Sequence, residues 1–282
     1  MSSGEHHRCD VFGTPWPGVH GTAIDSARHY GRHWHDSHGI GLLEQGAQRS
    51  ASGRGSVDAA AGDLITTNHG EVHDGRPLGG PSRRWRIVYL DAGMLGSLTA
   101  VPGEPAGDVE LTRPVLQDPA LRQAMARLFG CLQAWNAGRN RDSAGTLACD
   151  EALAAACGLL RQRHAALAPP PEPRAPLGAV RDCLADRLLA PPSLAELASL
   201  AGLSRFQLLR RFRQAYGLPP HAWLLQQRVE RARGLIRGGI ALEQVAADCG
   251  FADQSHMTRH FVRQFGFTPG AWQRATAPRA AQ

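Results

Sequence analysis

The chain has 282 residues and a formal net charge of +6, and 20% of its residues are charged. This length is sufficient for two domains with separate hydrophobic cores. The first residues contain no apolar stretch typical of a signal peptide, and no run of 18 apolar residues occurs, so the sequence predicts a cytoplasmic protein without a membrane span. The six cysteines form no Cys-x-x-Cys pair, which indicates reduced thiols rather than a disulfide framework or a zinc site.

Residues 10–92 show the pattern of a β-domain. Short apolar runs at 40–46, 63–68 and 84–91 are separated by glycine, serine, proline and aspartate. Many short strands joined by such turns are typical of a sandwich or barrel. Residues 33–46 and 62–75 resemble two motifs of cupin-like sensor domains, and this resemblance implies a cupin-like β-barrel that binds a small molecule.

Histidines in this region are candidate ligands. His33, His35 and His73 stand where a metal-binding cupin carries its ligands, and imidazole commonly binds zinc or iron. Gly39 and Ile40 occupy the place of the carboxylate that such cupins carry after His35. We therefore expect these histidines to line an effector pocket or a structural turn, with no metal and no cofactor. Plain surface or core positions and a metal site remain the alternatives. The candidate effector-binding residues are His33, His35, His73 and Trp85.

No nucleophile elbow, phosphate-binding glycine loop or pair of catalytic carboxylates occurs in the sequence, so no catalytic residues are expected. Residues 116–165 predict two helices, at about 118–136 and 143–164. Five prolines follow within residues 165–177, and such a segment cannot continue a helix. The sequence therefore predicts a first domain at 1–166, a proline-rich linker at 167–176, and a second domain at 177–282.

The second domain contains one pattern twice, at residues 193–216 and 241–265. In each copy a short helix is followed by a glycine turn, a cap residue (Ser204 or Asp253) and an amphipathic helix. Repetition of a whole supersecondary unit, with one indel confined to a turn, is rarely chance. Each copy therefore predicts a helix-turn-helix motif.

The second helix of each copy has an outer face suited to DNA. Apolar residues recur every four positions on its inner face, which leaves polar and basic side chains outside. Arginine there can pair with guanine or contact a phosphate, and serine and threonine do so more weakly. The alternative is a pair of amphipathic motifs with solvated outer faces. The candidate DNA-binding residues are Ser204, Arg205, Phe206, Leu209, Arg210 and Arg213 in the first copy, and Gln254, Ser255, Thr258 and Arg259 in the second.

The distribution of charge agrees with this assignment. Residues 177–282 contain 14 arginines and 7 acidic residues, whereas residues 1–176 contain 17 arginines and 18 acidic residues. The basic excess therefore belongs to the domain with the repeated motif, as a phosphate-binding surface requires.

Residues 176–275 resemble the DNA-binding domain of the AraC/XylS family of bacterial transcription regulators, chiefly through the stretches 202–236 and 250–272. Trp223 and Trp272 stand where the family often has tyrosine. The resemblance implies a multi-domain α+β protein. Its N-terminal cupin-like barrel carries a helical dimerisation segment, and its C-terminal all-α domain has two helix-turn-helix motifs.

The resemblance also implies a sequence-specific transcription regulator rather than an enzyme. Its partners would be promoter double-stranded DNA, a small-molecule effector bound in the barrel, a second copy of the chain and RNA polymerase. One alternative is a ligand-independent regulator whose β-domain only dimerises or meets a protein partner. The other is a metal-dependent cupin enzyme fused to a DNA-binding module.

Overall fold

The computed structural model describes residues 6–98, 109–138, 142–167 and 176–276. The predicted linker lies outside these residues, apart from its first and last positions. The chain divides into two units, residues 1–169 and 170–282, with the short segment 32–34 grouped with the second. Strands and helices form the first unit and helices form the described part of the second, so the predicted fold class is confirmed.

Two antiparallel sheets dominate the first unit. The larger has the strand order β1-β2-β9-β4-β7-β11, the smaller has the order β3-β8-β5-β6, and β10 pairs with β12. In chain order the strands are β1 (His7–Gly13), β2 (Val19–Ser26), β3 (Tyr30–His33), β4 (Ser37–Gln45), β5 (Ala47–Ser52), β6 (Gly55–Ala60), β7 (Leu64–Thr67), β8 (His73–Pro77), β9 (Arg83–Asp91), β10 (Val109–Leu111), β11 (Val115–Leu116) and β12 (Ala165–Leu167).

Strand β9 shows how the two faces of the six-stranded sheet are used. Successive side chains of a strand point to opposite faces. Val88 and Leu90 lie in the core that the sheet forms with the helices of this unit. Trp85 and Ile87 lie in a second cluster that includes Tyr30 and Ala59 of the four-stranded sheet. The odd-numbered residues of β9 therefore face the space between the two sheets.

Three helices complete the first unit: α1 (Met94–Leu98), α2 (Pro119–Asn136) and α3 (Ser143–His164). Asp118 caps α2 by accepting hydrogen bonds from the N–H groups of Ala120 and Leu121, and Asp142 caps α3. By length and composition alone α3 could cross a membrane. Its buried side is part of the core shared with α2 and the six-stranded sheet, so it is a core helix here.

The second unit repeats a short helix and a longer one around a central helix. The helices are α4 (Leu177–Asp186), α5 (Leu194–Leu200), α6 (Arg205–Tyr216), α7 (Pro220–Arg237), α8 (Leu242–Asp248), α9 (Gln254–Phe265) and α10 (Pro269–Thr276). The turns before α6 and α9 contain Gly202 at φ +64° and Gly250 at φ +75°, in the left-handed region that favours glycine. Both turns follow the sequence prediction.

Helix α7 stands between the two motifs and contacts helices of both. Its buried residues include Val229, Ala232 and Ile236, which recur at helical spacing on one side. It also carries a buried ion pair, in which Arg233 Nε donates to Glu230 at 2.8 Å. The Arg233 carbonyl oxygen accepts a hydrogen bond from the Trp272 indole at 2.9 Å, which ties α10 to α7.

Candidate functional site

The first candidate surface is the outer face of α6. A capping box fixes the start of this helix: the Ser204 hydroxyl accepts from the Gln207 N–H at 3.2 Å, and the Gln207 side chain accepts from the Ser204 N–H at 3.0 Å. Leu208 and Phe212 are fully buried on the inner face. The cap and these two anchors hold the outer face in one orientation.

Every predicted DNA-binding residue of the first motif is exposed. Phe206 is 73% exposed and Leu209 is 39% exposed. The outer face of α6 therefore leaves two apolar side chains accessible one turn apart. Four exposed arginines lie on the same helix: the predicted Arg205, Arg210 and Arg213, and Arg211.

Helix α9 presents the corresponding surface of the second motif. Asp253 caps it by accepting from the His256 N–H at 2.6 Å, and Met257 and Phe261 are fully buried. Of the four predicted DNA-binding residues, Gln254, Ser255 and Arg259 are exposed and Thr258 is half-buried. The structure therefore leaves all four on the accessible side of the helix, at least in part.

Helix α9 carries a histidine pair that was not predicted from the sequence. The Nε2 atoms of His256 and His260 lie 3.1 Å apart, and both rings contact Phe251. Burial and then the nearby His256 and arginines lower the pKa of His260, which favours its neutral form. The spacing of four residues on one helix was a signal for this contact.

The second candidate site lies between the two sheets of the first unit. Trp85 is buried there rather than open to solvent, and it lies beneath the Arg83 guanidinium, 4.6 Å from its ring centroid. At the other end of β9, Tyr89 stacks on His20 at 4.9 Å. Polar groups thus lie at both ends of an aromatic and aliphatic interior.

The predicted histidines come together. One ring nitrogen from each of His33, His35 and His73 lies within 4.8 Å of the others. The His73 Nδ1 lies 2.9 Å from the Glu71 carbonyl oxygen, which favours a proton on Nδ1. The unprotonated Nε2 is then free to bind a metal ion or to accept a hydrogen bond. Burial lowers the pKa of His73 and so favours a neutral ring. Three such imidazoles could hold a metal ion or hydrogen-bond to a small molecule.

Two family models match separate parts of the chain. A model described as an AraC-like ligand binding domain matches residues 17–156, and one described as a helix-turn-helix domain matches residues 197–275. Together they take in most of the chain, including every candidate residue above. The chain is an AraC-family transcriptional regulator.

Relatives of this AraC-family regulator agree with the assignment. "Probable transcriptional regulator LumQ" of Photobacterium leiognathi is 38% identical over 82 residues, which are 29% of this chain and 33% of LumQ. YbfI of Bacillus subtilis (strain 168), described as an HTH-type transcriptional regulator, is 25% identical over 232 residues, 80% of each chain. The chain thus spans about a third of LumQ and most of YbfI.

The solved structure of ToxT from Vibrio cholerae shares the fold of the regulator. It has a TM-score of 0.52 and 11% sequence identity, and the match covers 100% of this chain and 99% of ToxT. The curated relatives are transcriptional regulators and not enzymes, so the alternative of a metal-dependent cupin enzyme is set aside.

Proposed function

We propose that this regulator binds promoter DNA through the outer faces of α6 and α9, and that a small molecule bound between the two sheets of the first unit controls transcription. The observation that carries the proposal is the repeated, capped helix with a buried inner face and an exposed basic outer face. A helix of this kind in the second position of a helix-turn-helix motif enters the major groove.

The two helices differ in the chemistry they offer to DNA. The first presents Phe206, Leu209 and two arginines, Arg210 and Arg213, a surface for thymine methyl groups, guanines and phosphates. The second presents the hydroxyl groups of Ser255 and Thr258 beside Arg259, and α9 carries two exposed arginines, Arg259 and Arg263, where α6 carries four. Each chain should therefore read an asymmetric site, with the half bound by α6 more sensitive to salt.

Several features support an effector between the sheets. The interior combines aromatic rings with buried polar side chains, the usual lining of a small-molecule site. We assign effector contacts to Trp85, His33, His35 and His73. ToxT was crystallised with an unsaturated fatty acid, so this fold accepts a small molecule in at least one protein. An effector regulates only if it binds two arrangements of the protein with different affinity.

The remaining partners follow from the family. We propose that the regulator forms a homodimer through α2 and α3, works in the cytoplasm and contacts RNA polymerase at its promoter. Leu147 on α3 is 58% exposed in the single chain. An apolar residue that a second subunit covers would show such exposure when the chain is considered alone. The other candidate function is that of a ligand-independent regulator, whose β-domain dimerises or binds a protein partner without an effector.

The experiment is selection of binding sites from a random duplex library by the full chain, followed by a metabolite screen with the selected operator. We expect enrichment of one asymmetric sequence, and a metabolite that changes both the melting temperature and the affinity for the operator. Failure to enrich any sequence would contradict the DNA-binding proposal. Enrichment with no responsive metabolite would favour the ligand-independent regulator.

A further inference from the structure

Arg83, at the start of β9, lies inside the β-domain. It is 2% exposed, and it lies on the face of β9 that carries Trp85 and Ile87, between the two sheets. Its backbone pairs with Ser26 of β2 in the six-stranded sheet. Its side chain reaches Gln48 of β5 in the other sheet, so the guanidinium crosses the interior rather than pointing to solvent.

The partners of this guanidinium are neutral. Nε donates to the Gln48 side-chain oxygen at 3.0 Å, and Nη1 donates to the Arg28 carbonyl oxygen at 3.1 Å. Trp85 and Tyr30 lie against it, with ring centroids at 4.6 and 5.9 Å. A guanidinium has five N–H donors, and within the described residues these two acceptors account for two of them. No carboxylate among those residues forms an ion pair with it.

The same chain shows how a buried arginine is otherwise accommodated. Arg233 is also buried, at 5% exposure, and its Nε donates to the Glu230 carboxylate at 2.8 Å. A buried charge without a counter-ion is costly, and pairing with a hydrogen-bonded carboxylate offsets much of that cost. Burial lowers the pKa of Arg83 to about 10, so the guanidinium is still charged at neutral pH.

The rest of this interior suits a ligand with an apolar body. From Arg83 the face of β9 continues through Trp85 and Ile87 to Tyr89, a span of roughly 20 Å for a strand of this length. Alternation along β2 and β7 places Thr22 and Thr67 on the interior side. Their hydroxyl groups are buried without a hydrogen-bond partner among the described residues. The interior thus offers a cation at one end, an apolar middle, and buried hydroxyl groups level with Ile87 and Tyr89.

We propose that Arg83 binds the carboxylate of an organic acid whose apolar body lies along Trp85 and Ile87 between the two sheets. The inference rests on the proposed function and deepens it, because it names the chemical class of the effector. The carboxylate supplies the missing counter-ion, and Arg83 offers the forked geometry that carboxylates accept. Gln48 and the Arg28 carbonyl hold the guanidinium in place for this contact.

Paired acids and amides test the proposal on the unmodified full chain. The probes are decanoate and 4-phenylbutyrate, each with its neutral amide, measured by titration calorimetry and by melting temperature. We expect at least one acid to bind with saturation, at least about tenfold more tightly than its amide, as a hydrogen-bonded ion pair implies. This comparison needs no variant, so it remains valid even if substitution at Arg83 impairs folding.

Variants then assign the contact to a residue. Arg83→Gln should remove the preference for the acid, and Arg83→Lys should keep part of it. Arg84→Gln is the matched control, because Arg84 is exposed on the next position of the same strand and pairs with Glu44 at 3.3 Å. It should leave the preference unchanged.

In these measurements the proposal is overturned if no acid of the panel binds, if each amide binds as well as its acid, or if Arg83→Gln keeps the preference. DNA-site selection is measured independently of acid binding, so the two proposals can fail separately. An intact acid preference in a chain that selects no DNA would contradict the regulatory proposal alone. Operator binding with a neutral effector would leave that proposal standing and overturn this one.

Discussion

Arg228 donates from Nη1 to the Gly250 carbonyl oxygen at 2.7 Å, and so holds the turn of the second helix-turn-helix motif. Its Nε and Nη2 both donate to the Leu188 carbonyl oxygen, at 2.9 and 2.6 Å. One side chain of α7 therefore satisfies two main-chain carbonyl groups from different parts of the second unit. A Cβ added at Gly250 would lie 3.0 Å from this guanidinium.

This contact predicts unequal effects for two similar substitutions. Gly202→Ala and Gly250→Ala both force alanine into the left-handed region, at a cost of about 1–2 kcal/mol. Only at Gly250 must the neighbouring guanidinium also move, since nothing lies within 4 Å of a Cβ at Gly202. We expect the free energy of unfolding to fall further for Gly250→Ala, measured by chemical denaturation. Equal losses of unfolding free energy in the two variants would mean that the Arg228 guanidinium moves aside without destabilising the protein.

The DNA-facing arginines can be tested individually. Arg210→Ala and Arg259→Ala should each weaken binding to the selected operator by about 1–3 kcal/mol if the side chains contact bases. Fluorescence anisotropy at several salt concentrations gives the affinity and its salt dependence. Arg274→Ala, at an exposed arginine outside both recognition helices, is the control. Unchanged binding by both test variants would show that the outer faces are wrongly assigned.

The capping box of α6 contributes to stability independently of DNA. Ser204→Ala removes the acceptor for the Gln207 N–H and should cost about 1 kcal/mol in the free energy of unfolding. Ser204→Asn restores an acceptor and should recover most of the loss. A Ser204→Ala variant that is as stable as the wild type would show that the N–H is satisfied by water at little cost.

Asp118 makes the first unit sensitive to acid. Hydrogen bonds from His164 and the Leu121 N–H, and then the ion pair with Arg163, hold the pKa of Asp118 well below its usual range. A depressed carboxyl pKa contributes stability that is fully present above the unfolded value near 4 and is lost as the pH falls below it.

Asp118→Asn should therefore lower stability at pH 7 by about 1 kcal/mol and flatten its decline below about pH 4. Asp142→Asn is the matched control, because Asp142 also caps a helix, through the Gly145 N–H. Thermal unfolding between pH 3 and pH 7 measures both variants. The same acid dependence in Asp118→Asn as in the wild type would contradict this role for Asp118.

The helix-turn-helix motifs could be predicted because their signals are local. A glycine in a left-handed turn, a cap residue and apolar side chains every three or four positions all lie within about twenty residues. The histidines could be predicted as a cluster only through resemblance, since His73 lies on a strand distant in sequence from His33 and His35. Their proximity in the structure agrees with that expectation and leaves their role a proposal.

Arg83 could not be found from the sequence. It stands in a run of three arginines within four residues, Arg83, Arg84 and Arg86, and nothing local distinguishes the first. Its burial depends on the pairing of β9 with β2 and on the side chain of Gln48 from the opposite sheet. Trp85 was predicted as an effector contact, which remains a proposal, and only the sheet packing shows that its ring lies against the Arg83 guanidinium.

The first helices of the two helix-turn-helix motifs differ in their N-terminal caps. Ser193 opens α5 with a reciprocal capping box, whereas no side chain caps α8 at Ala241. The first amide groups of α8 must therefore rely on water, and such helix ends fray. Amide hydrogen exchange should be faster in the first turn of α8 than in that of α5. The second helix-turn-helix motif therefore has the less stable first helix, although the two motifs are otherwise built alike.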